Sequence, residues 1–478
     1  GVCVCVCVCV GERGPAVGVL MTTQEAPDSL LFDASFESGN LGSSVRVPGR
    51  FDEYNLFIRP DTLEEGYRLW FYFAVSNTQQ DQLVLFNVMN TCKTASSHRQ
   101  GMTPLVRSRK RPNWVRIPQR DCWYYRNPKK TGKAYILSFL FAFDDPDDVY
   151  SFAYCYPYTF TDLQRYLHHL EGKALPFVQR ELLGRSLLHR RLDLLRITNE
   201  TRSTNPQGKA KKVIVVTARV HPGETPASMI CEGFLNFITS DHPVAAVLRD
   251  YCVFMVVPML NPDGVFLGNY RSNSLGFDLN RCWLNPTCFQ PTILATRDLL
   301  QHLMDASSGG VEELDIFVDM HAHSNSNSGF MYVNYAEDSQ LAQEAMRMPR
   351  LLAIKSAYFS SLSTKFCKDP GKLNSGRRAL GEFVLTGGNT RCHCYTFEVS
   401  FYGYMNSDRR LEPFTPLLYR KLGAHFGEVF LDHYRLPNPL RGSRRLERPL
   451  RPYKCVVVHL PELPGGEHRR ASEEDEDE

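Results

Sequence analysis

The chain has 478 residues, 43% apolar and 22% charged, an ordinary globular composition with ample material for more than one core. Its net charge of +3 decides little by itself. No run of about 18 apolar residues occurs, which excludes a transmembrane helix, and the 15 cysteines form no secreted disulfide framework.

Cys3, Cys5, Cys7 and Cys9 alternate with valine at the start, the pattern that a translated GT dinucleotide repeat produces. Residues 1–20 therefore read as non-coding sequence translated ahead of a start at Met21, and residues 1–29 as a non-native or disordered N-terminus. The stretch after Met21 is polar and lacks signal-peptide character. The later cysteines sit among apolar residues, as Cys155 does between Tyr154 and Tyr156. They read as buried thiols in a reducing compartment.

Residues 30–157 read as an antiparallel β-sandwich. Aromatic and β-branched runs at 54–58, 69–73, 83–86 and 135–139 are separated by polar and Gly/Pro turns. Between 93 and 133, twelve Lys or Arg accompany a single acidic residue, Asp121, with Trp114, Trp123, Tyr124 and Tyr125 interleaved. Such a stripe suits acidic protein tails or is simply a solvated face. No nucleic-acid-binding motif accompanies it, so no nucleic-acid partner is expected.

Residues 158–435 read as an α/β domain. The segment from Thr161 to Gln164 resembles a helix N-cap, and Leu163, Tyr166, Leu167 and Leu170 then share one helical face. A continuous apolar run at 213–217 suits a strand buried on both faces. A helix is expected from about Thr225, with further buried strands at 251–257 and 314–320. From 436 to 478 the periodicity is lost. This part is Arg-rich, then Pro/Gly-containing, and acidic from Glu473 to Glu478, as in a mostly disordered tail.

His221-Pro222-Gly223-Glu224 closes the strand that starts at Val213, and His321 closes the one from Leu314. Both groups thus sit at carboxyl ends of strands, where open α/β sheets place their ligands. Two histidines and one carboxylate form the ligand set of a catalytic zinc with an open fourth position. HxxE alone is a weak signal, but its ordered company strengthens it. After it come Asn261-Pro262-Asp263-Gly264, Arg271 and Phe277-Asp278-Leu279-Asn280-Arg281. Asp319-Met320-His321-Ala322-His323-Ser324 and Tyr395-Thr396-Phe397-Glu398-Val399-Ser400-Phe401 follow.

In content and order these motifs resemble the M14 metallocarboxypeptidases. The forms HPGE, DMHAHS and TFEVSF are similar to those of the cytosolic carboxypeptidase family. Residues 155–164 resemble that family's junction between an N-terminal β-domain and the catalytic domain. The resemblance covers roughly residues 30–435, and it implies a mixed eight-stranded sheet with helices on both sides. It also implies one zinc per chain held by His221, Glu224 and His321, with Asp278 orienting His221. Glu398 would take the proton from water and pass it to the leaving amine. Arg271 would face the developing oxyanion, and Asn280 and Arg281 would grip the substrate α-carboxylate.

Strand alternation points His321 and His323 the same way, so geometry alone leaves the third ligand open; the resemblance selects His321. In Ser375-Gly376-Arg377-Arg378, Arg377 best matches the family's basic pocket residue, which would favour a terminal Glu or Asp. Arg378 is the next candidate. Extra residues at about 386–393 separate this point from the catalytic strand, which leaves the pocket register open. The implied reaction removes glutamate from polyglutamate chains on tubulin and other acidic-tailed proteins, in the cytosol and at microtubules, centrioles or basal bodies. A small-amide deacylase of the aspartoacylase type shares HxxE and DLNR-like elements, although the β-domain argues against it. A tubulin-binding scaffold with an inactive site is the non-enzymatic alternative.

Overall fold

The computed structural model describes residues 29–440, apart from 50–51, 94–95, 128–134, 200–203, 308–311, 335–337, 368 and 387–391. The opening Val-Cys run, the tail from 441 and most of the 386–393 insertion lie outside the described residues.

Alternation with a period of two decides the N-terminal part. In the strand Gln82–Thr91, Val84, Phe86 and Val88 are buried while Leu83 is half exposed. One five-stranded sheet runs Leu31–Asp33, Tyr72–Ser76, Tyr150–Ala153, Leu105–Ser108, Val115–Arg116. The other runs Ser43–Arg46, Asp52–Phe57, Gln82–Thr91, Tyr135–Phe143, Cys122–Arg126. Phe73 and Phe152 from the first sheet meet Phe86 and Phe139 from the second, and all four are fully buried. The sandwich departs from the antiparallel expectation at one pair: Asp52–Phe57 runs parallel to Gln82–Thr91. Of the run 69–73, only Tyr72 and Phe73 join a strand. Leu69, Trp70 and Phe71 are buried in irregular backbone, and Trp70 Nε1 donates to the Ser38 carbonyl at 2.9 Å.

The helix α1 (Phe160–Gly172) has its N-cap two residues earlier than the Thr161 signal. Thr159 caps it: Asp162 N donates to Thr159 Oγ1 at 3.0 Å, and Thr159 N donates back to Asp162 Oδ2 at 2.9 Å. This reciprocal pairing satisfies two amides that the first turn would otherwise leave open.

The second part is an eight-stranded mixed sheet. Its strands are β1 (Val178–Arg185), β2 (Arg191–Ile197), β3 (Lys211–Ala218), β4 (Cys252–Val257), β5 (Glu312–His323), β6 (Gly329–Asn334), β7 (Lys365–Cys367) and β8 (His393–Ser400), in the spatial order β1-β2-β4-β3-β5-β8-β6-β7. The four central strands β4, β3, β5 and β8 are parallel neighbours. The continuous apolar run in β3 has its reason here: Ile214 and Val216 enter one core while Val213 and Val215 enter the other. The helices α2 (Thr225–Ile238) and α5 (Pro416–His433) cover the first face. α3 (Pro291–Ser307) and α4 (Gly376–Thr386) cover the second. The chain adds β4 on one side of β3 and β5 on the other. This reversal opens a crevice at the carboxyl ends of β3 and β5, where ligands collect in such sheets.

All ten described cysteines are free; Cys155, Cys231, Cys252 and Cys394 are buried, whereas Cys288 is exposed. No helix among the described residues is long and apolar enough to cross a membrane.

α2 is buried almost all round because it lies between the sheet and α5. The two backbones touch. A Cβ on Gly423 would lie 1.9 Å from the Ile230 carbonyl oxygen, and one on Gly233 would lie 2.0 Å from that of Arg420. Gly423→Ala gains about 1 kcal/mol of helix propensity but must push the helices apart, an overpacking that costs about 1–3 kcal/mol. The expected result is a lower urea midpoint with an unchanged slope. A raised midpoint would show that the helices separate freely.

Candidate active site

Beyond β3 the chain turns through Arg219, which holds a left-handed φ of 59° and is fully buried. Its Nε donates to the Pro222 carbonyl at 2.7 Å and its Nη1 to Ser228 Oγ at 2.9 Å, bracing the turn that carries His221. Gly223 is required by close approach, since a Cβ there would meet the Tyr270 ring at 2.8 Å. Glu224 is the N-cap of α2, yet its carboxylate makes no cap bond. It turns instead to two histidines, with the positive end of the helix behind it. His221 Nδ1 stands 2.8 Å from Glu224 Oε1, and His321 Nδ1 stands 2.9 Å from Oε2. The Ala322 amide donates to Oε2 at 3.0 Å.

His321 lies inside β5, which continues to His323, so it does not close the strand as expected. His323 takes a different course from His321: its Nδ1 accepts from the Asn325 amide at 3.1 Å, and its ring packs against Phe330. In the parallel register His321 is opposite Glu398 of β8. Glu398 is buried on the crevice side, while its neighbours Phe397 and Val399 belong to the core. Burial pushes its pKa up, against the pull of His321 and His323.

Each histidine has an outer carboxylate. His221 Nε2 is 3.1 Å from Asp278 Oδ1, and His321 Nε2 is 2.8 Å from Asp319 Oδ2. Asp278 also caps the short turn Leu279–Arg281, accepting from the Asn280 amide at 2.9 Å. Its other oxygen accepts from Arg271 Nε at 2.8 Å. Although burial opposes charge, His221 and Arg271 hold Asp278 well below the usual carboxylate range. Arg271, half-buried, is held above its ordinary value, against the penalty of burial, by Asp278, Tyr270 and Glu224. The Asn280 side chain stands 3.3 Å from His321 Nε2, and its Oδ1 accepts from the Gly376 amide at 3.1 Å, which ties the start of α4 to the site. Arg281 donates to the Asn280 carbonyl at 2.8 Å and remains partly exposed. Arg377, in the first turn of α4, is only 2% exposed and hydrogen-bonds Asn334 Oδ1. It is no solvated loop cation. Arg378 instead donates outward to the Asp369 carbonyl at 3.1 Å.

Donor atoms of His221, Glu224 and His321 lie within 4.8 Å of one another, all buried. An Nε2–H donated to each aspartate leaves both Nδ1 lone pairs turned inward. Two nitrogen donors and one carboxylate suit zinc, so the residues fit that ion.

The zinc carboxypeptidase family profile matches residues 163–406, and that of the cytosolic carboxypeptidase N-terminal domain matches 32–154. Human cytosolic carboxypeptidase 6 is 46% identical over 86% of this chain and 80% of its own length. The zebrafish protein named cytosolic carboxypeptidase 2 is 36% identical over 91% of this chain and 60% of its own. The chain belongs to the cytosolic carboxypeptidases. A Burkholderia cenocepacia metallo-carboxypeptidase, 22% identical, shares the fold with a TM-score of 0.69 over 85% of this chain and 99% of its own. The chain is thus an M14 zinc carboxypeptidase.

Two features of this carboxypeptidase escape a reading of its sequence. Asp319 carries no chemical signal of its own in the sequence, although it stands two residues before His321, a spacing that puts both on one strand face. Its Oδ1 also accepts from Thr217 Oγ1 at 2.8 Å. The basic stretch at 93–133 is partly paired, although Arg109, Arg120 and Arg126 stay exposed. Lys110 and Arg111 pair with Asp145 and Asp144, each at 2.6 Å. Arg99 lies over Tyr135, Arg107 over Trp114, and Arg116 between Tyr156 and Tyr402. Lys129, Lys130 and Lys133 lie outside the described residues.

Proposed function

We propose that this carboxypeptidase removes terminal glutamates from polyglutamate chains on acidic-tailed proteins such as tubulin. The observation that carries the reading is Arg377. It is a buried guanidinium at the edge of the site whose Nε has no hydrogen-bond partner among the described residues. A buried cationic donor left open is costly unless an anion meets it, and a glutamate side chain supplies one.

One zinc per chain, held by His221, Glu224 and His321, supplies a Lewis acid and lowers the pKa of water toward about 7. Glu398 accepts the water proton as the water oxygen bonds to the peptide carbonyl carbon. It then gives that proton to the amine as the C–N bond breaks. Arg271, held by Asp278, faces the oxyanion that develops. Asn280 and Arg281 receive the α-carboxylate of the terminal residue, which makes the enzyme read chain ends. Such a substrate fits a cytosolic protein working at microtubules, centrioles or basal bodies.

The direct test is incubation with polyglutamylated tubulin, with and without a chelator, read as a mass ladder. Stepwise glutamate loss only without chelator is expected. An unchanged tubulin alongside trimming of neutral C-terminal peptides would overturn the glutamate reading, and faster turnover of free N-acyl amino acids would favour a deacylase. Arg377→Ala should weaken cleavage of terminal Glu about 10–100-fold relative to neutral residues, the worth of a charge-assisted hydrogen bond of roughly 1.5–3 kcal/mol. An unchanged preference in competition assays would move the role to Arg378.

A further inference from the structure

The loop carrying Arg271 is held by a residue more than two hundred positions earlier in the chain. Asp61, in the sandwich part of the chain, is 3% exposed and accepts from three successive backbone amides. Tyr270 N donates to its Oδ1 at 2.6 Å, and Arg271 N and Ser272 N donate to its Oδ2 at 2.7 and 2.8 Å. Ser272 Oγ adds a fourth bond at 3.0 Å. A carboxylate that accepts several backbone amides fixes both the position and the orientation of that backbone. The same loop reaches the metal-ligand segment, because Gly223 N donates to the Tyr270 carbonyl at 2.8 Å. Tyr67 lies under the Arg271 guanidinium at 5.7 Å.

The turn that delivers Asp61 is itself strained. Asp61 N donates to the Tyr67 carbonyl and Glu64 N to the Asp61 carbonyl, both at 3.0 Å. Between them Leu63 sits at φ 56° with its side chain 78% exposed. A leucine is disfavoured in left-handed backbone, and its exposed side chain gains little packing in return.

We infer that Asp61 is a positioning residue for hydrolysis: through the backbone of residues 270–272 it aims the Arg271 guanidinium at the reacting carbonyl, so the β-sandwich is a working part of the active site. This rests on the role proposed above for Arg271. Misplacement by about 1 Å costs on the order of 10²-fold in rate. In the zinc-loaded enzyme, Asp61→Asn places an amide where a carboxylate oxygen receives backbone donors. It should lower kcat about that much with little change in KM, equally for glutamate-ended and neutral-ended peptides. Added to Arg271→Ala it should cost almost nothing more. Ser272→Ala, which removes only the hydroxyl bond, should give a smaller loss with the same non-additivity, and it serves if the first variant folds poorly. Thr62→Ala, which breaks a neighbouring contact from Thr62 Oγ1 to Asn269 Oδ1 at 3.1 Å, should leave kcat near wild type. Multiplicative losses in the double variant would overturn the proposal, as would activity falling only in step with zinc content and melting temperature. Full activity in Arg271→Ala would instead remove the role of Arg271, and the proposal with it. A damaged Arg271→Ala beside an unaffected Asp61→Asn would overturn the proposal alone.

Discussion

Glu398→Gln is expected to lower kcat by about 10²–10⁴-fold, the usual worth of a positioned general base, while zinc stays at one ion per chain. The geometry separates the two properties. Glu398 stands opposite His321 across two parallel strands, but it is not one of the three residues whose donor atoms converge. Gln keeps the shape of the side chain and loses the capacity to take up a proton. Burial, which raises the pKa of Glu398, makes it a stronger base than an exposed glutamate, and that advantage is also lost. Metal analysis alongside turnover checks the result. Zinc leaving with the substitution would mean that Glu398 belongs to the ligand set.

His221→Ala and Glu224→Ala are expected to do the opposite, losing metal first and activity as a consequence. Glu224 links the two imidazoles through its two oxygens, so removing it leaves both Nδ1 atoms without their shared partner. Removing His221 leaves one nitrogen and one carboxylate, too few donors for a tight site. A ligand that binds only the folded state stabilises it by about 2.7 kcal/mol at a concentration of about 100 Kd. The melting temperature of either variant should therefore fall toward that of chelator-treated wild type, and added zinc should not restore it. Asp319→Ala and Asp278→Ala act one step further out and should weaken zinc binding by about 10–100-fold without abolishing it. Wild-type zinc content in Glu224→Ala would sink the ligand assignment.

The parts of this enzyme legible in its sequence are those whose physics is local. The run at 213–217 announces a strand buried on both faces because each of its residues is apolar, and the structure sends alternate residues into two cores. HPGE after that strand and DMHAHS near the end of its sheet neighbour β5 mark a ligand site because strand ends in such sheets open onto a crevice. Locality also explains the small misses. The helix cap fell at Thr159 rather than Thr161 because the side chain of Asp162 reaches back three residues, and either threonine satisfies the composition rule.

What the tertiary structure alone decided involves residues far apart in the chain. His321 and His323 are equivalent by alternation; in the structure the first meets Glu224, 97 residues earlier, and Asp319, whereas the second accepts from the Asn325 amide. Resemblance singles out Arg377, but only the fold buries it: α4 is tied to Asn280, 96 residues away, and the guanidinium is buried against Asn334. Part of the basic stretch at 93–133 is engaged by residues from later in the chain, since Asp145, Asp144 and Tyr402 meet Lys110, Arg111 and Arg116. Asp61 gives no sign of importance in its own neighbourhood, since the amides it holds lie 209 to 211 residues further on. A hydrogen bond has a range of about 3 Å in space and none along the chain, so pairings of this kind exist only once the sandwich and the sheet have packed together.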